Sequence, residues 1–253
     1  MPVPNAPLIL YQNIFRQAPV FASGGNPAHA VDWRLDRAWQ PGDGITSIYI
    51  NEPVQSFTAD TLALFGHNLG TIEATVSVRV ATPGGSVVPL RRQITSDRCL
   101  IFPFTAFSGR FWLVEITAPQ PIVIASLCLG TALRLDSGFN PGFTPPDFVT
   151  QATVTTTTSA GGLPLGRSIN LQPGRIVLNP SNLADPWMRS EWLSFRSHAL
   201  RYPFFLLWNP EEHPEEAAYC WADVELPSHG LSRPGHFDVS LPCHMLTSLE
   251  ATP

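Results

Sequence analysis

The chain has 253 residues, 44% of them hydrophobic and 14% charged, with a net charge of −5. That length and apolar fraction build a folded core of one large or two modest domains. The acidic balance argues against a nucleic-acid surface, which needs a clustered basic face, and no apolar run approaches the roughly 18 residues that span a bilayer. With 26 Pro and 18 Gly, turns should be many and helices few.

In chain order, Leu8–Tyr11 is an apolar run expected as an edge strand or an arm, the arm covering residues 1–22. Ser23–Trp39 is an irregular polar and aromatic loop. Ile45–Asn51 reads as a strand, and Thr61–Phe65 as a short apolar strand that stops at the turn Gly66-His-Asn-Leu-Gly70. In Glu73–Val80 the residues Ala74, Val76, Val78 and Val80 alternate with Glu73, Thr75, Ser77 and Arg79, so one face meets a core and the other water. Arg91-Arg92 reads as a solvated turn. Arg98–Phe102, Phe111–Thr117, Ile122–Leu129 and Thr131–Leu135 complete a set of short strands, punctuated by turn signals such as Thr82-Pro-Gly-Gly85. Such a series fits an antiparallel sandwich over residues 23–135.

The run from Asp136 to Asp147 forbids regular structure and marks a linker, residues 136–148. Phe139 and Phe143 are unusual for a free linker and are expected to pack against something. A smaller β-rich domain is then expected over residues 149–253. The Thr-rich run Gln151–Ser159 reads as an exposed strand. Asp185–Leu200 is the one convincing helix: Asp185 can cap it, Pro186 suits its first turn, and Met188, Trp192, Phe195 and Ala199 recur at helical spacing. Pro203–Trp208, Ala217–Glu225 and His236–Leu241 read as strands.

No nucleophile elbow, zinc-protease helix or dinucleotide fingerprint is present. The acidic run Glu211-Glu-His-Pro-Glu-Glu216 is a solvated hairpin tip on the simplest reading. His213, Cys220, His229, His236, Cys243 and His244 are zinc-type ligands within 32 residues, but their spacing matches no zinc fold and no metal or other cofactor is expected. Asp32, Asp36 and Asp43 lack the spacing of a known calcium loop. Met1-Pro-Val-Pro-Asn5 lacks the pattern of a signal peptide, so the chain is read as made in the cytoplasm, and its four cysteines as small buried hydrophobes.

The loop, the "Leu-Ala-Leu-Phe-Gly-His-Asn" segment and the alternating strand after it resemble the discoidin-like (galactose-binding-like) jelly roll found in minor tail proteins of long-tailed bacteriophages. The second half, with "Pro-Phe-Phe-Leu-Leu-Trp-Asn-Pro" and "Tyr-Cys-Trp" strands after a short helix, is similar to phage tail-tip proteins. The resemblance implies a mainly β fold, an antiparallel jelly-roll sandwich followed by a smaller β-rich domain with one short helix. It implies a structural, non-enzymatic role at a tail tip or baseplate, in a virion tail assembled in the host cytoplasm. Partners would be tail-tube, hub or tip proteins and copies of the chain, as a hexamer first and a trimer second. The alternatives are a carbohydrate-binding module for host adsorption and, last, a secreted hydrolase. By the same resemblance Asn26, Asp32, Trp33, Arg34, Asp36 and Trp39 line the end of the sandwich that would meet a surface glycan, unless the two tryptophans plug its bottom. Phe139 and Phe143 are expected to contact neighbouring chains.

Overall fold

A computed structural model describes residues 6–135, 137–149, 151–223 and 228–249; Met1–Asn5, Asp136 and the end of the expected strand at Val224-Glu225 lie outside them. Its strands are β1 (Leu8–Leu10), β2 (Val20–Ala22), β3 (Trp39–Asn51), β4 (Phe57–His67), β5 (Thr75–Thr82), β6 (Gly85–Gln93), β7 (Leu100–Gly109), β8 (Phe111–Gly130) and β9 (Leu133–Arg134). After these come β10 (Gln151–Thr158), β11 (Pro164–Gln172), β12 (Gly174–Leu178), β13 (Leu183–Ala184), β14 (Phe204–Leu207), β15 (Ala217–Ala222), β16 (Ser228–Arg233) and β17 (His236–Leu246). A short helix α1 (Ala28–Val31) and a longer one, α2, over residues 185–199, complete the set.

The first lobe is an antiparallel jelly-roll sandwich organised by β8. This strand is one continuous element of 20 residues, where the sequence reading placed two segments separated by Ala118-Pro-Gln-Pro121. Its first half pairs with β3 and β5, and its second half with β3 and β4. The prolines are tolerated because the β3–β8 ladder is irregular there, with register shifts around Gly42 and Gly44. The two halves of β8 thus carry two facing layers. Between them lies a core that includes Ile48, Ile50, Val76, Val78, Trp112 and Val114 from one layer and Leu62, Leu64, Ile122, Ile124 and Leu129 from the other. Arg91 and Arg92, expected in a turn, sit on β6, which pairs with β5 across the Thr82–Gly85 hairpin.

The second lobe is a sheet in the order β12-β17-β15-β14-β1-β9, with β13 and β16 attached to β17. Residues 8–10 therefore do not form a free arm or an edge of the jelly roll. β1 is hydrogen-bonded on both sides, to β14 and to β9. The reason is visible in its composition: Leu8, Ile9 and Leu10 are all buried, and only a strand covered on both faces accommodates three consecutive apolar residues. Phe204-Phe-Leu-Leu207 follows the same rule. Phe204 and Leu206 face the cluster built with α2, while Phe205 and Leu207 face the jelly roll.

α2 buries the expected stripe of Met188, Trp192, Phe195 and Ala199. Its middle turn, Met188–Trp192, is a π turn, and Asp185 is its first helical residue; its side chain bonds Arg189 at 3.0 Å and does not cap the backbone.

The lobes share a third core. Ala63, Phe65, Cys99, Ile101 and Cys128 of the jelly roll meet Leu8, Leu10, Phe205, Leu207, Ala217 and Tyr219 of the second sheet. Phe65 stacks on Tyr219 with centroids 4.8 Å apart, and the Tyr219 hydroxyl donates to the Trp33 carbonyl at 2.8 Å. This explains why the run Leu62–Phe65 of β4 is apolar at every position: Leu62 and Leu64 face the jelly-roll core while Ala63 and Phe65 face the interlobe core.

Candidate functional site

The loop 23–39 is held from within. Asn26 is exposed, but its carboxamide oxygen accepts from the Ala28 N–H at 3.1 Å, so it orders the start of α1. Arg34 donates to Asp32 at 2.7 Å. Partial burial pushes the Asp32 carboxyl upward, but the Arg34 hydrogen bond and charge outweigh it, and the net shift is below the ordinary value. Asp36 is exposed with Arg37 3.9 Å away.

The two tryptophans lie elsewhere. Trp39 is fully buried in the jelly-roll core, its indole N–H donating to the Gly24 carbonyl at 2.7 Å. Trp33 belongs to the interlobe core, edge-on to His198 and stacked near Tyr202, with the Arg16 guanidinium 5.2 Å from its ring centre. Trp39 thus plugs the jelly roll, whereas Trp33 lines a small open cleft of about 210 Å³ with Tyr11, Arg16, His198 and Tyr202.

The Gly66-His-Asn-Leu-Gly70 turn is a latch. Gly66 has φ +61°, the left-handed region that favours glycine. His67 is buried, and its Nδ1 accepts from the Leu69 N–H at 3.3 Å. Burial drives its pKa from 6.5 to about 4, against the opposing pull of Asp97 and the Arg98 backbone, so it is neutral at pH 7. The Asn68 side chain donates to the Pro121 carbonyl and accepts from the Val123 N–H, both at 2.9 Å, which ties the turn to β8. A Cβ on Gly70 would lie 2.4 to 2.6 Å from the Ser96 backbone. Asp97 then receives the N–H groups of Gly70 and Thr71.

The linker folds back on its own chain. Phe139 and Phe143 stack at 4.2 Å, and Phe143 tilts against Trp208 at 5.9 Å. Both rings are half-buried and line an open cleft of about 450 Å³ with Pro7, Asn140 and Trp208. The Arg98 guanidinium grips the Asp147 carboxylate with both terminal nitrogens, joining the linker's end to the jelly roll.

Cys243 points into the second core while His244, one residue on, points outward, stacks on Trp221 and bonds Asp223 at 2.9 Å. The period of two sets these ligands on opposite faces. His236 bonds Arg233 at 3.1 Å, and nothing is described of the His229 side chain. Burial raises all four thiols far above the ordinary value, which keeps them protonated. At the acidic tip Glu216 is buried and accepts the Trp208 indole N–H at 2.5 Å. His213, Glu215 and Glu216 place ligand-type atoms within 4.8 Å of one another, the one such grouping among the described residues, and it does not include Asp32, Asp36 or Asp43.

One surface was missed by the sequence reading. On the outer face of the layer β2-β3-β8-β5-β6, strand register aligns Phe21, Tyr49, Leu113 and Arg79 in one row. A second row holds Ser47, Glu115, Ser77 and Arg91, and Phe111 lies diagonal to Tyr49. Phe21 is 47% exposed and stacks on Tyr49 at 5.6 Å; Tyr49 and Phe111 are half-buried with centroids 5.9 Å apart. The signal was present in the alternation itself: Tyr49 and Phe111 occupy outward positions between the buried Ile48, Ile50 and Trp112.

No family model matches the chain, and no curated protein matches it in sequence. Solved structures with a similar backbone include a chitosan-binding module of a Paenibacillus sp. IK-5 chitosanase/glucanase, at 15% identity and a TM-score of 0.39, covering 47% of this chain and 98% of the module. A Clostridium perfringens CBM32 module solved with GalNAc-β-1,3-galactose is 12% identical at a TM-score of 0.39, covering 48% of this chain and 99% of that one. A pectin-binding module is 14% identical at 0.37, covering 47% of this chain and 91% of the module. The likeness is too distant to assign a residue or a ligand.

Proposed function

We propose that this chain is a non-catalytic carbohydrate-binding protein whose jelly-roll lobe takes a sugar on its outer face. The row Phe21–Tyr49, with Phe111 beside it and Arg79 and Glu115 on its flank, carries the reading. A sugar ring has one face of C–H groups and a rim of hydroxyls. Aromatic faces remove water from the first, and guanidinium and carboxylate groups bond the second. An apolar patch rimmed by polar groups is a recognition surface more often than an accident. Glycan-array binding by the wild type that disappears in Tyr49→Ala and Phe21→Ala, with the melting temperature retained, supports it. Binding lost in Phe143→Ala but kept in Tyr49→Ala moves the site to the linker cleft and refutes the outer-face assignment.

A second reading, a structural component of a bacteriophage tail tip or baseplate, is favoured by a different observation. Among the described residues the β10–β11 hairpin joins neither large sheet, as a piece awaiting a neighbour would. In that setting glycan binding would serve host adsorption. Mass spectrometry of purified particles tests it; absence of this chain from virions refutes it.

A further inference from the structure

We infer that the free edge of β10 is a self-association surface whose occupant is β10 of a second copy of this chain. The hairpin runs antiparallel over eight paired positions, from Gln151 opposite Gln172 to Thr158 opposite Pro164, and closes through a turn at residues 159–163. At 3.4 Å per residue the paired stretch is about 27 Å long. Thr155–Thr158 are exposed, as are Leu163 (69%) and Leu165 (67%) at the tip. Neither strand pairs with another strand among the described residues, so each has one edge without a strand partner there.

Two isolated strands are marginal in water, and three or more are needed for independent stability. Native edges that stay free are protected by charge, proline or bulges. β11 has such protection, with Pro164, Gly166 and Arg167 in its sequence. β10, Gln-Ala-Thr-Val-Thr-Thr-Thr-Thr, has no charge, no proline and no glycine. An unprotected β-branched edge of that length is a liability unless it is used.

The lack of charge also selects the partner. Antiparallel pairing of β10 with its own copy is an isologous two-fold contact, in which every residue meets the same neutral set and no like charges oppose. The product is a four-stranded sheet, β11-β10-β10-β11, which passes the three-strand threshold. The inference does not depend on the glycan reading and holds whether or not the outer face binds sugar.

The test is the mass of the full chain in solution. Light scattering after size exclusion is expected to give an even multiple of 27.7 kDa. With the two-fold at Thr156, Thr155 faces Thr157 of the copy and Thr156 faces its own equivalent; the Thr155→Lys/Thr157→Lys double variant then opposes like charges across it and is expected to halve that mass with an unchanged far-UV spectrum. Thr156→Cys provides a second readout. The native thiols are buried, so oxidation is expected to link two chains through the new cysteine alone. A monomeric or trimeric wild type, a lysine variant of undiminished mass, or a Thr156→Cys chain that gives no dimer on oxidation each overturns the inference.

Discussion

Replacing Phe65 with alanine probes the claim that the two lobes share a core and unfold together. Phe65 is fully buried and lies flat on Tyr219, with an interplanar angle of 5°. Truncating such a ring costs about 3–5 kcal/mol through lost burial and the cavity left behind. The upper half of that range applies, because Tyr219 cannot collapse into the space: its ring is edge-on to Phe205 at 5.2 Å and its hydroxyl is held by the Trp33 carbonyl. For a chain of this size each kcal/mol lowers the melting temperature by ~2–4 °C, so a drop of roughly 8–20 °C follows. The assay is urea unfolding followed in parallel by far-UV circular dichroism and tryptophan fluorescence. One coincident transition, shifted to lower urea in the variant, is expected. Two transitions of which Phe65→Ala moves only one, or a loss below about 1 kcal/mol, would falsify the shared core.

Acid should weaken the latch. His67 has a folded pKa of about 4 against 6.5 when unfolded, so the unfolded chain binds its proton first and the stability held above pH 6.5 is lost as pH falls towards 4. The shift corresponds to roughly 3 kcal/mol at most; a stability-versus-pH curve for His67→Gln should be flatter in that window, and a slope equal to wild type would refute the assignment. Trp39→Phe removes the bond to the Gly24 carbonyl from the jelly-roll core. It should lower stability by about 1 kcal/mol or somewhat more while leaving glycan affinity per folded molecule unchanged in calorimetric titration, and a selective loss of affinity would return the site to the loop.

Much of the architecture was legible because periodicity is a local property. Alternation marked β5, and helical spacing marked the buried stripe of α2. The Gly66–Gly70 turn was legible as a turn because its glycines answer backbone demands that hold in any context, a positive φ at Gly66 and the contact with Ser96 at Gly70. What the loop tryptophans do was not legible. An indole in a polar loop reads alike whether it is a platform or a plug, and only the packing of β3 and of the second lobe buries Trp39 and Trp33. Likewise the run Leu8-Ile-Leu10 states that both faces are buried but not by what. The pairing of β1 with a strand almost 200 residues later, Leu8 opposite Leu207, is decided by tertiary contact. The Phe21–Tyr49–Phe111 surface has the same origin. Each ring sits on a different strand, and only the register of the folded sheet sets the three side by side.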